Sequence, residues 1–226
     1  MASAPKIVIL TQEHRGHGVT TAAYFLAQAL AQRRIPVLLA DMTERTGRLP
    51  QLNRHFPTRN LVLWSPPASG LRDLPALLKK ARDEVAGHAT CLLLDADLAI
   101  LDTLHVADEE LRLVDFVVLA AERTAEAEKN AERVANRYLA LHERHKFGLA
   151  FARIPVNDAQ DIPEQTDDHL PILGYWPADY RLATSDDAAN ASAIVPEPHQ
   201  PYLDAIGAIA TRLARMTPLL RLPSAS

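Results

Sequence analysis

The sequence predicts an α/β fold, a doubly wound and mostly parallel sheet with helices on both faces. Short apolar, β-branched runs alternate with segments whose apolar residues recur at helical spacing, the pattern of successive strand–helix units joined by right-handed crossovers. Some runs, such as Cys91-Leu92-Leu93-Leu94, are apolar at every position, as strands covered on both faces are. The first run passes through a glycine-bearing loop directly into a strong helix former.

Taken in order, Lys6-Ile7-Val8-Ile9-Leu10 reads as the first strand, and Val19 to Arg33 as the first helix, carried by Ala22 to Ala31. Arg33 and Arg34 suit the negative pole of its dipole. Pro36 to Asp41 is a buried second strand ending in an acid. Met42 to Phe56 is polar and punctuated by Gly47 and Pro50, which predicts a loop or broken helix over the strand ends. Leu61 to Trp64 is a short strand, and Ser65 to Gly70 a turn-rich link. Leu71, Leu74, Leu77, Leu78, Ala81 and Val85 then make one face of a helix. Thr90 to Asp95 is a strand that again ends in aspartate. A helix follows around Leu104 to Leu111, then a strand over Asp115 to Ala121. Glu126 to Arg144 is a long helix with Ala127, Ala131, Val134, Tyr138 and Leu141 on one face. Phe147 to Ala152 and Ile172 to Tyr175 are strands separated by the acidic, proline-bearing loop Pro155 to Pro171. Tyr202 to Met216 closes the chain as a helix that Pro218 ends.

The 226 residues are expected to form a single domain, with a core of about 5–216 and a short tail over 217–226. A formal charge of −4 offers no global basic field for nucleic acid. Cys91 is the one cysteine, so disulfide frameworks and thiolate metal sites are excluded and a reducing compartment is expected. Met1 to Pro5 are too short and too weakly apolar for a signal peptide and no stretch approaches the length of a membrane span, so a cytoplasmic location is the expectation. Signatures such as G-x-S-x-G and HExxH are missing, so no hydrolase constellation competes for attention.

The chemistry gathers at the carboxyl ends of the strands, where open parallel sheets bind their ligands. The stretch from His14 to Thr21 occupies a phosphate loop's place. Such loops read G-x-x-x-x-G-K-[ST]: backbone amides cradle phosphates, the lysine reaches the outer phosphates and the hydroxyl ligates magnesium. Gly18 and Thr20 fit, whereas Val19 stands in the lysine position and Glu13 in that of the first glycine. Asp41 and Asp95, at two strand ends, are either magnesium ligands through water or caps of the following turns. Thr20 and Thr21 are either phosphate-loop hydroxyls or helix caps. His14 and His17 lack a third ligand at metal-site spacing and read as solvated loop residues, as do His142 and His145 on their charged helix. Arg212, Arg215 and Arg221, with Leu219 and Leu220, are either a contact for DNA or lipid or the solvated face of a helix packed on the sheet, and Pro218 and Pro223 argue against a membrane helix.

Five segments in order resemble the ParA/MinD family of deviant-Walker P-loop ATPases, of the SIMIBI class, which position chromosomes, plasmids, division sites and other cargo. Thr11 to Leu30 resembles the family's K-G-G-V-G-K-T-T loop and alanine-rich helix, and Val37 to Asp41 its V-L-L-I-D strand. Leu92 to Asp95 resembles its second acidic strand end, Val114 to Ala120 its "aDeVllV" strand, and Ile172 to Asp179 its late "lG-x-i-P-x-d" element. The departures fall on the chemistry. Val19 replaces the loop lysine, His14 the signature lysine and Arg15 the glycine after it. Thr43 stands where an aspartate supports the attacking water, Ala96-Asp97-Leu98 replaces Thr-Pro-Pro, and Ala152 replaces an asparagine that reads adenine.

Should a nucleotide bind, the resemblance assigns it to Gly16, Gly18, Thr20, Thr21 and Arg15, and assigns magnesium to Thr20, Asp41 and Asp95. A charge-assisted phosphate contact contributes about 1.5–3 kcal/mol, so two lost lysines weaken binding roughly a hundredfold to many thousandfold. Hydrolysis depends almost wholly on positioning and charge neutralisation and suffers more. The expectation is a degenerate, ParA/MinD-like pseudo-ATPase with no catalytic residue and no cofactor, which homodimerises and binds another protein as cargo or machine component. The alternatives are an active ATP- and Mg2+-dependent switch, with Arg15, His14 or a residue of a partner supplying charge, and a DNA-binding partition accessory.

Overall fold

The computed structural model describes residues 5–12, 16–43, 48–65, 74–84, 88–101, 114–139, 146–155, 170–179, 182 and 196–217. Seven strands form one sheet: β1 Lys6–Gln12, β2 Val37–Asp41, β3 Leu61–Trp64, β4 Cys91–Asp95, β5 Phe116–Ala121, β6 Phe147–Ile154 and β7 Ile172–Pro177. Their order is β3-β2-β4-β1-β5-β6-β7 and every pairing is parallel. The first strand therefore lies at the centre, between β4 and β5, and its helix crosses over the sheet. At the other end of the strands Asp115 fixes the start of β1: one carboxylate oxygen accepts the Ile7 N–H at 2.9 Å and the other pairs with Lys6.

Strand residues alternate between two cores, as the period of two requires. On one face Val8, Leu10, Leu39, Leu93, Val118 and Leu173 pack beneath α1 (Val19–Gln32), α2 (Arg48–His55) and the C-terminal helix. On the other, Ile7, Ile9, Leu92, Leu94, Val117 and Leu149 pack beneath α3 (Leu74–Glu84) and α4 (Ala125–Leu139). The C-terminal helix, α5 (Gln200–Met216), buries Tyr202, Ile206, Ile209 and Leu213 on the first face. It comes close to β7 because Gly174 has φ of +145° and no Cβ; one built there would meet Ile209 Cγ1 at 2.9 Å.

The polar segment from Met42 to Phe56 contains the helix α2, whose Leu49 and Leu52 reach the core while Pro50 falls in its first turn, where a missing N–H costs little. Strands β1, β6 and β7 run two residues beyond the expected Leu10, Ala152 and Tyr175. The helix expected around Leu104 to Leu111 lies outside the described residues, as do 140–144, most of the Pro155 to Pro171 loop, and His142, His145 and Leu219 to Arg221.

Candidate functional site

At the carboxyl end of the sheet, β1 stops at Gln12 and α1 starts at Val19. Between them Gly16 and Gly18 have φ of +102° and +72°, values that side chains rarely tolerate. Gly18 is the N-cap of α1, and no side chain caps that helix. The hydroxyls of Thr20 and Thr21 therefore lie inside the helix rather than at its cap. The Thr20 hydroxyl instead lies beside Asp95 and favours its charged form. Glu13, His14 and Arg15, with the rescue assigned to Arg15, lie outside the described residues.

Asp41 and Asp95 are direct partners across the β2–β4 ladder. By strand alternation both face the α1 side, since Leu39 and Leu93 do. Their surroundings differ. One oxygen of Asp41 accepts both the backbone N–H of Thr43, at 3.1 Å, and its hydroxyl, at 2.7 Å. This is the turn-capping role. Asp95 is 1% exposed, and its Oδ2 has no hydrogen-bond partner among the described residues. Burial above all pushes its carboxyl up to about 7, Thr20 opposes the rise, and the charges of Asp41 and Asp97 add to it. Burial also raises Asp41, against the two bonds from Thr43.

Three oxygen-bearing side chains, Thr20, Asp41 and Asp95, converge here, and the buried, unpartnered Asp95 Oδ2 is a donor of the hard kind that Mg2+ selects. No three His, Cys, Asp or Glu side chains are placed to hold a metal ion together among the described residues. The residues thus suit the metal of a nucleotide complex better than its phosphates. The lysine position is taken by Val19, which is 2% exposed and part of the core beneath α1. Ala152, in the adenine-reading position, is likewise buried among apolar neighbours.

His17 is 4% exposed, which corrects its reading as a solvated residue. Its N–H donates to Gln12 Oε1 at 3.3 Å and its carbonyl accepts from Trp176 Nε1 at 3.0 Å. Its Nε2 lies 3.7 Å from a carboxylate oxygen of Glu122. Sequence reasoning missed Gln12 and Trp176. The only signal was Trp176 at the "i" of the late element, where tryptophan adds a donor that isoleucine lacks. On α5 the apolar residues pack on the sheet and Arg212 donates to the Ile172 carbonyl at 3.2 Å, the bland reading of that arginine.

No protein-family model and no curated protein matches the chain. Solved structures do match its fold. MinD cell division protein of Aquifex aeolicus, also solved as a MinC:MinD complex, superposes with a TM-score of 0.64 at 19% identity. In the complex the match covers 92% of this chain and 95% of that one. A putative plasmid partition protein of Borrelia burgdorferi bound to AMPPNP gives 0.61 at 16% identity, over 94% and 99% of the two chains. The septum site-determining protein MinD of Pyrococcus horikoshii, complexed with Mg-ADP, gives 0.59 at 16%, over 96% and 99%. The chain has the P-loop NTPase fold of these proteins over nearly its whole length.

Proposed function

We propose that this chain is a ParA/MinD-like pseudo-ATPase, a scaffold that binds another protein as a positioning, localisation or assembly factor with little or no ATP hydrolysis. The observation that carries the reading is Val19, buried at the first position of α1 where a phosphate loop presents its lysine. A buried valine gives a phosphate no charge, and the helix dipole alone is worth about 0.3–1 kcal/mol to an anion. Thr43 adds support: where the family pattern has the aspartate of hydrolysis, its hydroxyl is spent on Asp41. The fold is shared with division-site and plasmid-partition proteins, one of them solved with a protein partner, and this favours a positioning role over a metabolic one. A homodimer that forms without nucleotide belongs to the same proposal.

Isothermal titration with ATP and Mg2+ tests it: no heat of binding at tens of micromolar is expected, and a low-micromolar Kd sinks the pseudo-enzyme. One observation favours a second reading, the active switch: Thr20, Asp41 and Asp95 stand together and carry oxygens of the kind Mg2+ takes. When bound, Mg2+ would neutralise phosphate charge, with these three residues holding it. That reading predicts Mg2+-dependent nucleotide binding lost in Asp95→Ala.

A further inference from the structure

We infer that Trp176 is a latch that holds Gly16 to Gly18 of the glycine loop in one shape without needing an anion. A glycine loop loses much conformational entropy when it is ordered. In a phosphate-binding loop the anion gathers the backbone amides and helps to offset that cost. Here the chain itself grips the loop. The His17 peptide groups are held from two sides, the N–H by Gln12 Oε1 at 3.3 Å and the carbonyl by Trp176 Nε1 at 3.0 Å. Gln12 is the last residue of β1, directly below the loop, whereas Trp176 comes from β7, three strands away. The indole belongs to the α1-side core, and the residues of β5 and β6 on that side at the same end are Ala120 and Ala152. Their side chains end at Cβ and leave height over the sheet for a large ring to cross.

The identity of the ring is the second strand of the argument. A buried tryptophan must place its N–H on an acceptor, and this one places it on the loop rather than on a strand. Phenylalanine would fill volume there but could not hold the loop. Trp176 is thus a positioning residue for Gly16, Gly18 and the first turn of α1. The surface they form is the same before and after any partner arrives. The inference goes beyond the pseudo-ATPase reading and survives its failure, because a latched loop could still meet a nucleotide.

Hydrogen exchange followed by NMR on Trp176→Phe tests the latch. Removing one intramolecular hydrogen bond raises local opening about 2- to 13-fold. The expected result is exchange faster by that factor at His17 and Ala22, whose N–H groups bond to Gln12 and to the Gly18 carbonyl. Ile9 in β1 and Tyr175 in β7 should be unchanged, which a merely structural loss of core volume would not allow. Uniform acceleration, or none, overturns the proposal. Gln12→Ala, which removes the opposite grip and leaves the core ring in place, must accelerate the same two amides. In a Trp64→Phe background Trp176 is the sole tryptophan, and its emission should not change on addition of ATP and Mg2+. A saturable change would show that the loop reshapes and would overturn the latch, whereas calorimetric binding with constant emission overturns only the pseudo-ATPase reading.

Discussion

Asp95 sits where its own charge is unwelcome. Its carboxyl is pushed up to about 7 from 3.8, so the folded protein holds that proton more tightly than the unfolded chain does. Stability therefore falls as pH rises from about 4 to about 7 and levels off above, and Asp41 adds to the same slope. Asp95→Asn keeps the shape and an acceptor for Thr20 but removes the charge. Denaturant unfolding at pH 8 should find it more stable by about 1–3 kcal/mol, with a flatter pH dependence between 4 and 7. Val19→Lys has the opposite sign: an ammonium placed at a buried position should cost about 1–3 kcal/mol in the same assay without nucleotide. In titration it should gain ATP affinity before any turnover, because Thr43 still lacks a carboxylate. Two acids at strand ends were legible as a pair. What separated them was not, because Asp41 is capped by a residue two places away while Asp95 depends on Thr20, seventy-five positions earlier in the chain. Trp176 was illegible for a similar reason: nothing local to β7 says which carbonyl its indole will find.

Among the elements, those with a clear hydrophobic period stood out in the sequence. The alanine-rich α1, β4 with its apolar run up to the closing aspartate, the apolar β5, and the helix α5 fall where their patterns place them. α2 was half hidden, since only Leu49, Gln51 and Leu52 of its eight residues are buried and the remainder, Pro50 apart, is polar. The helix lives on its contact with α1 more than on propensity. Close packing of β7 with α5 was invisible as well, because a lone glycine in a strand does not announce which helix needs the space. Gly174→Ala should destabilise by about 1–3 kcal/mol, measured by thermal or denaturant unfolding, since the new methyl is both strained at φ +145° and 2.9 Å from Ile209.

For the whole molecule, the alternation of strands and helices made the doubly wound sheet readable, and the acids at strand ends marked the end where such sheets take their ligands. The molecule's assembly state follows from the proposed function: sedimentation velocity at about 10 µM without nucleotide should give a dimer, and a monomer unaffected by ATP would remove the nucleotide-free homodimer. The central place of β1 has a consequence for how the molecule comes into being. Strand β1 is made before both of its neighbours and finds them only when Cys91–Asp95 and Phe116–Ala121 have been made. Pairings of such long reach make folding slow, and the glycine loop waits longer still, for Trp176. A segment made before everything it pairs with is therefore among the last to take its final shape, and a ribosome that stalls before residue 176 releases a protein whose glycine loop lacks its tryptophan partner.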